Sequence, residues 1–494
     1  MIHLSQINLS NVGEGEMAGF VGRDRELAAL DRHLDWVRDG RGDQQGRALL
    51  LRGRRRVGKS RLADVFCERS GAPYLIHQAT RGEAPERERA RFLAALRDSS
   101  LPGRELADGV ETVSSWDAAL RLLAAALPDD RPSIVVLDEL PWLIEADPVA
   151  EGALQTVWDR VLSRKPVLLV LIGSDLAMME QLSTYGRPFH QRGVEMVLAG
   201  LTPYEVMGMT GLPAADAFDA FLVTGGLPLI CQEWREGESR REFLRRTLDD
   251  PTSPLFVSGE RSLAAEFPAE LQARHVLSVI GTGERTFTSI AAKAGTADRA
   301  LAPGSLTPVL RNLTERRLVA VDTPLSTRPG DRDRRYRVAD PYLRFWLAFL
   351  ERGVAEAERG RGGRLAETIE RGWTSWRGRA IEPVIREALA RLLPDDQWPG
   401  AYEVGGWWPR TNNPEVDLVG ADRSPARSIG FVGSVKWLEN APFGAREFAA
   451  LARDALAVPG TDDRTGLVAV SRTGVVVDGL DAVYGPEELV GAFG

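Results

Sequence analysis

Lysine is scarce in this 494-residue chain: of 62 basic residues only Lys59, Lys165, Lys293 and Lys436 are lysine, and the other 58 are arginine. With 49 glycines and abundant alanine, the bias reads as drift in a GC-rich genome. Against that background a retained lysine marks a place where guanidinium cannot replace ammonium, since the two cations differ in shape and tunability. Cysteine is scarcer still. Cys67 and Cys231 cannot build a disulfide framework, and no histidine pair joins them as a metal-ligand set. Long apolar runs are missing too: the stretch 167–173 falls far short of the ~18 residues of a membrane span, so no membrane partner is expected. The opening Met1 to Gln6 lacks the basic and apolar regions of a secretory signal. These absences predict a cytoplasmic, reduced setting. A composition of 44% hydrophobic and 27% charged residues excludes a disordered or fibrous chain. The net charge of −8 argues against a general nucleic-acid sponge, while leaving room for a local basic face.

The length suggests about three domains at ~150 residues each. Residues 1–18 read as a polar leader. From 19 to 200 short apolar runs (48–52, 74–77, 134–137, 167–172, 195–198) alternate with helical stretches such as 60–69, 116–127 and 151–164. That alternation predicts a mostly parallel sheet covered on both faces. From 201 to 262 the strand-like runs stop and amphipathic helices remain, around Gly225-Gly226-Leu227-Pro228. Residues 263–355 are expected to hold three helices (268–280, 288–294 and one capped by Ser305 and running to Arg317), then a two-stranded hairpin at 318–323 and 334–338. This is the order of a winged helix. The run Arg359 to Arg364 reads as a flexible joint. Residues 356–494 open with a helix containing Glu382 and continue through strand-like runs at 402–404, 415–419, 429–436 and 467–470.

Gly53-Arg54-Arg55-Arg56-Val57-Gly58-Lys59-Ser60 is a complete G-x-x-x-x-G-K-[ST] loop between a predicted strand and a helix opening at Arg61. Its glycines let backbone N–H groups curl around a phosphate, and the helix N-terminus adds its positive end. Lys59 is expected on the β/γ oxygens and Ser60 on Mg²⁺. The apolar run Ile134 to Leu137 ends in Asp138-Glu139, the Walker-B pattern, with Asp138 toward Mg²⁺ and Glu139 as general base. The cofactors predicted are ATP and Mg²⁺.

Together with Phe20-Val21-Gly22-Arg23-Asp-Arg-Glu-Leu27 and Ile172-Gly-Ser174, these motifs resemble the AAA+/STAND P-loop ATPases, above all their archaeal-type branch. The resemblance implies that Val21 and Gly22 lie beside adenine and that Ser174 is the sensor-1 residue. It also implies that Gly226-Leu227-Pro228 is the lid motif, and it offers Arg187 and Arg192 as arginine-finger candidates. The implied fold class is α/β: a P-loop NTPase sheet with helical lid, then a winged helix and a second, nuclease-like α/β domain. Nucleotide-dependent homo-oligomers are implied as well.

Two features stay open at this level. The third winged-helix element carries Arg311, Arg316 and Arg317, and the wing carries Arg328, Arg332, Arg334, Arg335 and Arg337, interrupted by Asp331 and Asp333. They serve either double-stranded DNA, through groove and phosphate contacts, or packing. In the last domain Glu382, Asp417 and Ser434-Val-Lys436 resemble the PD-(D/E)xK nuclease pattern, with serine where an acid is expected. A neutral hydroxyl is a poor substitute for a carboxylate on a hard cation. A degenerate site is therefore expected, unless Glu403 or Glu415 supplies the missing charge. Trp407, Trp408 and Trp437 are expected to pack rather than stack on bases.

Overall fold

The computed structural model describes residues 20–40, 45–174, 179, 192–267, 271–296, 299–328, 330 and 333–494. Its first layer is a five-stranded, all-parallel sheet: β1 (Arg47–Arg52), β2 (Tyr74–Gln78), β3 (Ser133–Asp138), β4 (Val167–Gly173) and β5 (Gly193–Val197), in the order β2-β3-β4-β1-β5. The central strands β3 and β4 are buried along their whole length, which is why they read as unbroken apolar runs. Helices α1 (Asp24–Asp39) and α2 (Lys59–Ser70) cover one face, and helices at 116–126 and 149–160 cover the other. A helix at Pro85–Asp98 was not foreseen, because its sequence is dominated by arginine and glutamate rather than by an apolar stripe.

A helical segment follows, with α3 (Pro203–Thr210), α4 (Ala214–Thr224), α5 (Arg240–Leu248) and α6 (Pro254–Glu266). A Thr202/Glu205 capping box starts α3. Then come α7 (Leu271–Gly281), α8 (Phe287–Ala294) and α9 (Pro303–Glu315), followed by the antiparallel pair β6 (Val319–Asp322) and β7 (Arg335–Val338). The expected Ser305 cap is one correction: the cap position is Ala302, and Pro303 occupies the first turn, where a missing N–H costs nothing. The expected joint at 359–364 is another. Gly362 to Arg364 already belong to α10 (Gly362–Leu392), a 31-residue helix whose first glycine packs on the Leu248 carbonyl, where a Cβ would come within 2.0 Å.

The second sheet is mixed. Its strands β8 (Glu403–Trp407), β9 (Val416–Ala421), β10 (Ile429–Lys436), β11 (Gly466–Ser471) and β12 (Ala482–Tyr484) lie in chain order, antiparallel from β8 to β10 and parallel from β10 to β12. Helix α11 (Ala445–Ala455) covers one face and α10 the other. One apolar cluster runs from the first sheet through α4, α6 and α10 into the second sheet, so the segments share a core instead of hanging on linkers. Among the described residues no single helix is long and apolar enough to cross a membrane.

Candidate functional site

The loop between β1 and α2 lies at the carboxyl end of the parallel sheet, where α/β folds place ligands. Gly53 has no room for a side chain, since a Cβ would lie 2.4 Å from the Leu198 carbonyl oxygen. Gly58 adopts φ +93°, the left-handed turn that feeds α2. The buried Lys59 ammonium donates to the Gly53 and Arg54 carbonyls at 2.8 and 3.0 Å, and so sits inside the loop. Burial lowers its pKa to about 8 against the opposing pull of Glu139 and Asp138. Ser60 Oγ donates to Asp138 Oδ2 at 2.6 Å, which joins α2 to the end of β3 through two oxygen donors suited to Mg²⁺. Gln78 Nε2 donates to the same carboxylate at 3.3 Å.

Glu139 follows at φ +53°, a conformation uncommon for a residue with a side chain and typical of functional turns. Its two carboxylate oxygens accept from Ser174 Oγ at 2.9 Å each. The end of β4 therefore touches the end of β3, and Lys59, Ser60, Asp138, Glu139 and Ser174 come together although the chain separates them by up to 115 positions.

Residues 19–170 match the family model of the AAA ATPase domain. This stretch is an AAA ATPase domain. Residues 346–447 match a second family, described as archaeal and bacterial proteins of unknown function. An uncharacterized protein of Methanocaldococcus jannaschii is 25% identical over 434 residues, spanning 85% of this chain and 87% of that one. Among solved structures, the Walker-type ATPase of Pyrococcus abyssi is similar at TM-score 0.47 and 18% identity, covering 66% of this chain and 96% of that one. The ORC2 protein of Aeropyrum pernix, solved as ADPNP and ADP complexes, follows at TM-score 0.45 and 15% identity, covering 70% and 97%.

Around the AAA ATPase domain the structure adds contacts that motif reading missed. Arg23 is buried and donates to the Val57 carbonyl of the loop at 2.9 Å and to the Ala199 carbonyl at 2.8 Å. Its own backbone N–H donates to Glu205 Oε1 at 2.6 Å, and Gly22, at φ +76°, leaves space for that glutamate. The segment that carries Val21 and Gly22 is thus clamped between the loop and α3. Pro228 lies beside the loop, 3.8 Å from where a Gly58 Cβ would stand. Two of the loop's arginines reach outward instead: Arg54 pairs with Asp340 at 2.6 Å and Arg56 Nη1 donates to Ser258 Oγ at 2.6 Å. Arg55 stands over the Trp142 ring. Arg61, where the helix was expected to open, stands exposed in the first turn of α2, which opens at Lys59. Of the arginine-finger candidates, Arg187 lies outside the described residues, and Arg192 grips Asp159 at 2.7 and 2.9 Å.

Of the hairpin arginines, Arg335 and Arg337 are committed to partners within the chain. Arg335 is buried, pairs with Glu415, donates to Asn412 Oδ1 and stacks on Trp408 at 4.0 Å. Arg337 pairs with Asp322 at 3.0 Å. The hairpin loop itself is docked: the Leu325 N–H donates to the Gly406 carbonyl of β8, Leu325 is buried in the core of the second sheet, and Trp408 Nε1 donates to the Asp333 carbonyl. Arg311, Arg328 and Arg334 are exposed, while Arg332 and Asp331 lie outside the described residues.

In the second sheet Glu382 and Asp417 do lie near each other, bridged by Arg386, which donates to Glu382 Oε2 at 3.1 Å and to the Asp417 carbonyl at 2.8 Å. Ser434 Oγ and the Val435 N–H donate to Asp417 Oδ2 at 3.0 and 2.8 Å. Lys436 turns away to Glu447 on α11. The possible replacement acids do not fill the gap, since Glu415 is held by Arg285 and Arg335, and Glu403 is exposed. Among the described residues no group of three or more His, Cys, Asp or Glu is placed to hold a metal. Trp407, Trp408 and Trp437 are buried, as expected. Lys165 and Lys293 pair with Asp129 at 2.6 Å and Glu284 at 3.2 Å.

Proposed function

We propose that the chain binds ATP with Mg²⁺ and hydrolyses it slowly, as a switch of the AAA+/STAND type. The observation that carries this is the joining of Lys59, Ser60, Asp138, Glu139 and Ser174 at one sheet edge through direct contacts. In this reading Lys59 neutralises β/γ-phosphate charge, and the loop amides from Gly53 to Gly58 cradle the phosphates. Ser60 and Asp138 offer Mg²⁺ its oxygen ligands, and the bound ion would neutralise charge that develops on the phosphates. Glu139 accepts the proton of the attacking water, with Ser174 holding its carboxylate in place. Val21, Gly22 and Pro228 border the nucleotide. The finger, if it acts in trans between copies, is Arg187 or Arg192; the Asp159 pair favours Arg187, because Arg192 would first have to release a bidentate partner.

The domains are assigned as 19–200 core, 201–262 lid, 263–355 winged helix and 356–494 nuclease-like, with 1–18 preceding them. The nuclease-like part is degenerate, since Arg386 sits where a second positive charge opposes a cation and Lys436 is engaged elsewhere. The docked hairpin favours the winged helix as a packing and relay element. Duplex DNA, the alternative partner that the arginines of this segment suggest, would meet the exposed Arg311 and Arg334.

Phosphate release should fall at least tenfold in Lys59→Ala and in Glu139→Gln, with ATP binding lost in the first and kept in the second. Equal turnover in wild type and both variants would reject the reading. Metal-dependent plasmid nicking that Asp417→Ala abolishes would overturn the assignment of a degenerate last domain.

A further inference from the structure

Where the winged-helix segment meets α10, a cavity of about 40 Å³ opens beside Trp408 and Glu382. At the ~10–15 Å³ a water requires, it holds about three waters or one tetrahedral oxyanion, and no nucleoside. Six guanidinium groups line it: Arg285, Arg335 and Arg337 from around the hairpin, Arg344 from the short helix 341–345, and Arg379 and Arg386 from α10. The carboxylates available to them are Asp322, Glu382, Asp417 beside Arg386 and, behind Arg335, Glu415. Positive charge therefore exceeds negative charge at this site.

The surplus is localised. The Arg344 side chain makes one hydrogen bond among the described residues, to a neutral acceptor, the Arg379 carbonyl at 2.9 Å. The Arg379 side chain has no hydrogen bond or ion pair among the described residues and stands exposed at the rim. The Nε of Arg335 is buried without an acceptor. Burial, with Arg337 and Arg379 nearby, lowers the Arg344 pKa to about 10 against the opposing pull of Glu382 and Asp322. Unpaired buried charge is costly, and a planar guanidinium fork matches the oxygen spacing of phosphate.

We infer that this junction is a phosphate-type oxyanion site, in which Arg344 and Arg379 grip an anion that bridges the winged-helix segment to α10. The site is separate from the loop at Lys59 and does not depend on ATP binding there. The anion is either a free phosphate group or a backbone phosphodiester that projects into the mouth.

Calorimetric titration of the full chain with inorganic phosphate, in a Lys59→Ala background that removes the loop's own phosphate affinity, tests this. Saturable binding should persist in Lys59→Ala, weaken at least tenfold when Arg344→Gln and Arg379→Gln are added, and tighten in Glu382→Gln. Arg379→Gln alone, at an exposed position that leaves the fold intact, should weaken it about threefold. Competition by a short duplex would name the backbone as the source, and phosphate binding without such competition would name the free anion; both support the site. Absence of saturable binding in Lys59→Ala, or binding indifferent to Arg379→Gln, would overturn the proposal. Failure of ATP turnover in the wild type would leave this result untouched, so the two readings fail separately.

Discussion

Gly226 stands at φ +66°, and a Cβ there would lie 2.0 Å from the Leu201 carbonyl oxygen, whose residue also donates its N–H to the Gly226 carbonyl at 2.7 Å. Backbone meets backbone, so nothing flexible can give way. Gly226→Ala should cost ~2 kcal/mol or more through the left-handed penalty and the clash together. A melting curve should show the unfolding transition lowered by ~2 °C. The cysteines offer a second check at this scale. Burial pushes both thiols up to about 12, above the ordinary value of 9.0. A raised thiol pKa means that the native state keeps its proton while the unfolded chain ionises, so this contribution to stability is present below pH 9 and is lost as pH rises from there toward 12. At pH 8 an alkylating reagent should modify neither Cys67 nor Cys231 in the native protein and both in denaturant; rapid native labelling would contradict the burial of α2 and the short helix 228–231.

At the scale of elements, the hairpin between β6 and β7 behaves as a strap on the second sheet. Leu325 fills that sheet's core, and its amide extends the β8 edge. Leu325→Ala should cost ~2–5 kcal/mol if the strap stays docked. Trypsin should then cut faster at the exposed Arg328 and Arg334, while cleavage elsewhere is unchanged. Here the limits of sequence reading have a physical reason. Pattern and spacing marked the loop from Gly53 to Ser60 and the strand ending at Asp138, because phosphate binding needs those residue types in contiguous order. They marked the hairpin's arginines equally well but could not show where the side chains go. Arg335 is spent on Glu415 and Trp408, residues 80 and 73 positions away, and no local rule encodes such a pairing. Likewise α10 begins already at the glycines 362–363 because tertiary packing of Gly362 against Leu248 overrides their weak propensity.

Across the molecule, one buried ionic knot ties the helical segment to the second sheet. Asp219 on α4 accepts from Arg377 of α10 at 2.9 Å and from Arg472 at 3.2 Å, and Arg377 donates further to Glu439 and to the Trp437 carbonyl. Asp219 and Arg377 are almost fully buried, so removing either leaves an uncompensated charge. Arg377→Ala should cost ~3–5 kcal/mol. Calorimetry should then resolve separate transitions for the amino- and carboxyl-terminal parts where the wild type, with its shared apolar core, unfolds in one. With Arg54 reaching Asp340 from the loop, the same variant should also change how strongly ATP raises the melting temperature.

The sequence by itself determined the parallel α/β sheet, the phosphate loop and the acidic pair on β3, because a contiguous apolar run or a fixed spacing of glycine, lysine and serine carries each of them within a few residues. Only the tertiary structure decided that Ser174 meets Glu139, that the β6–β7 hairpin is docked, that Lys436 faces Glu447, and that arginines crowd the junction at Arg344. Those outcomes depend on which side chains share a small volume after folding. In a chain with 58 arginines, abundance hides which few are paired and which are left without a counter-charge.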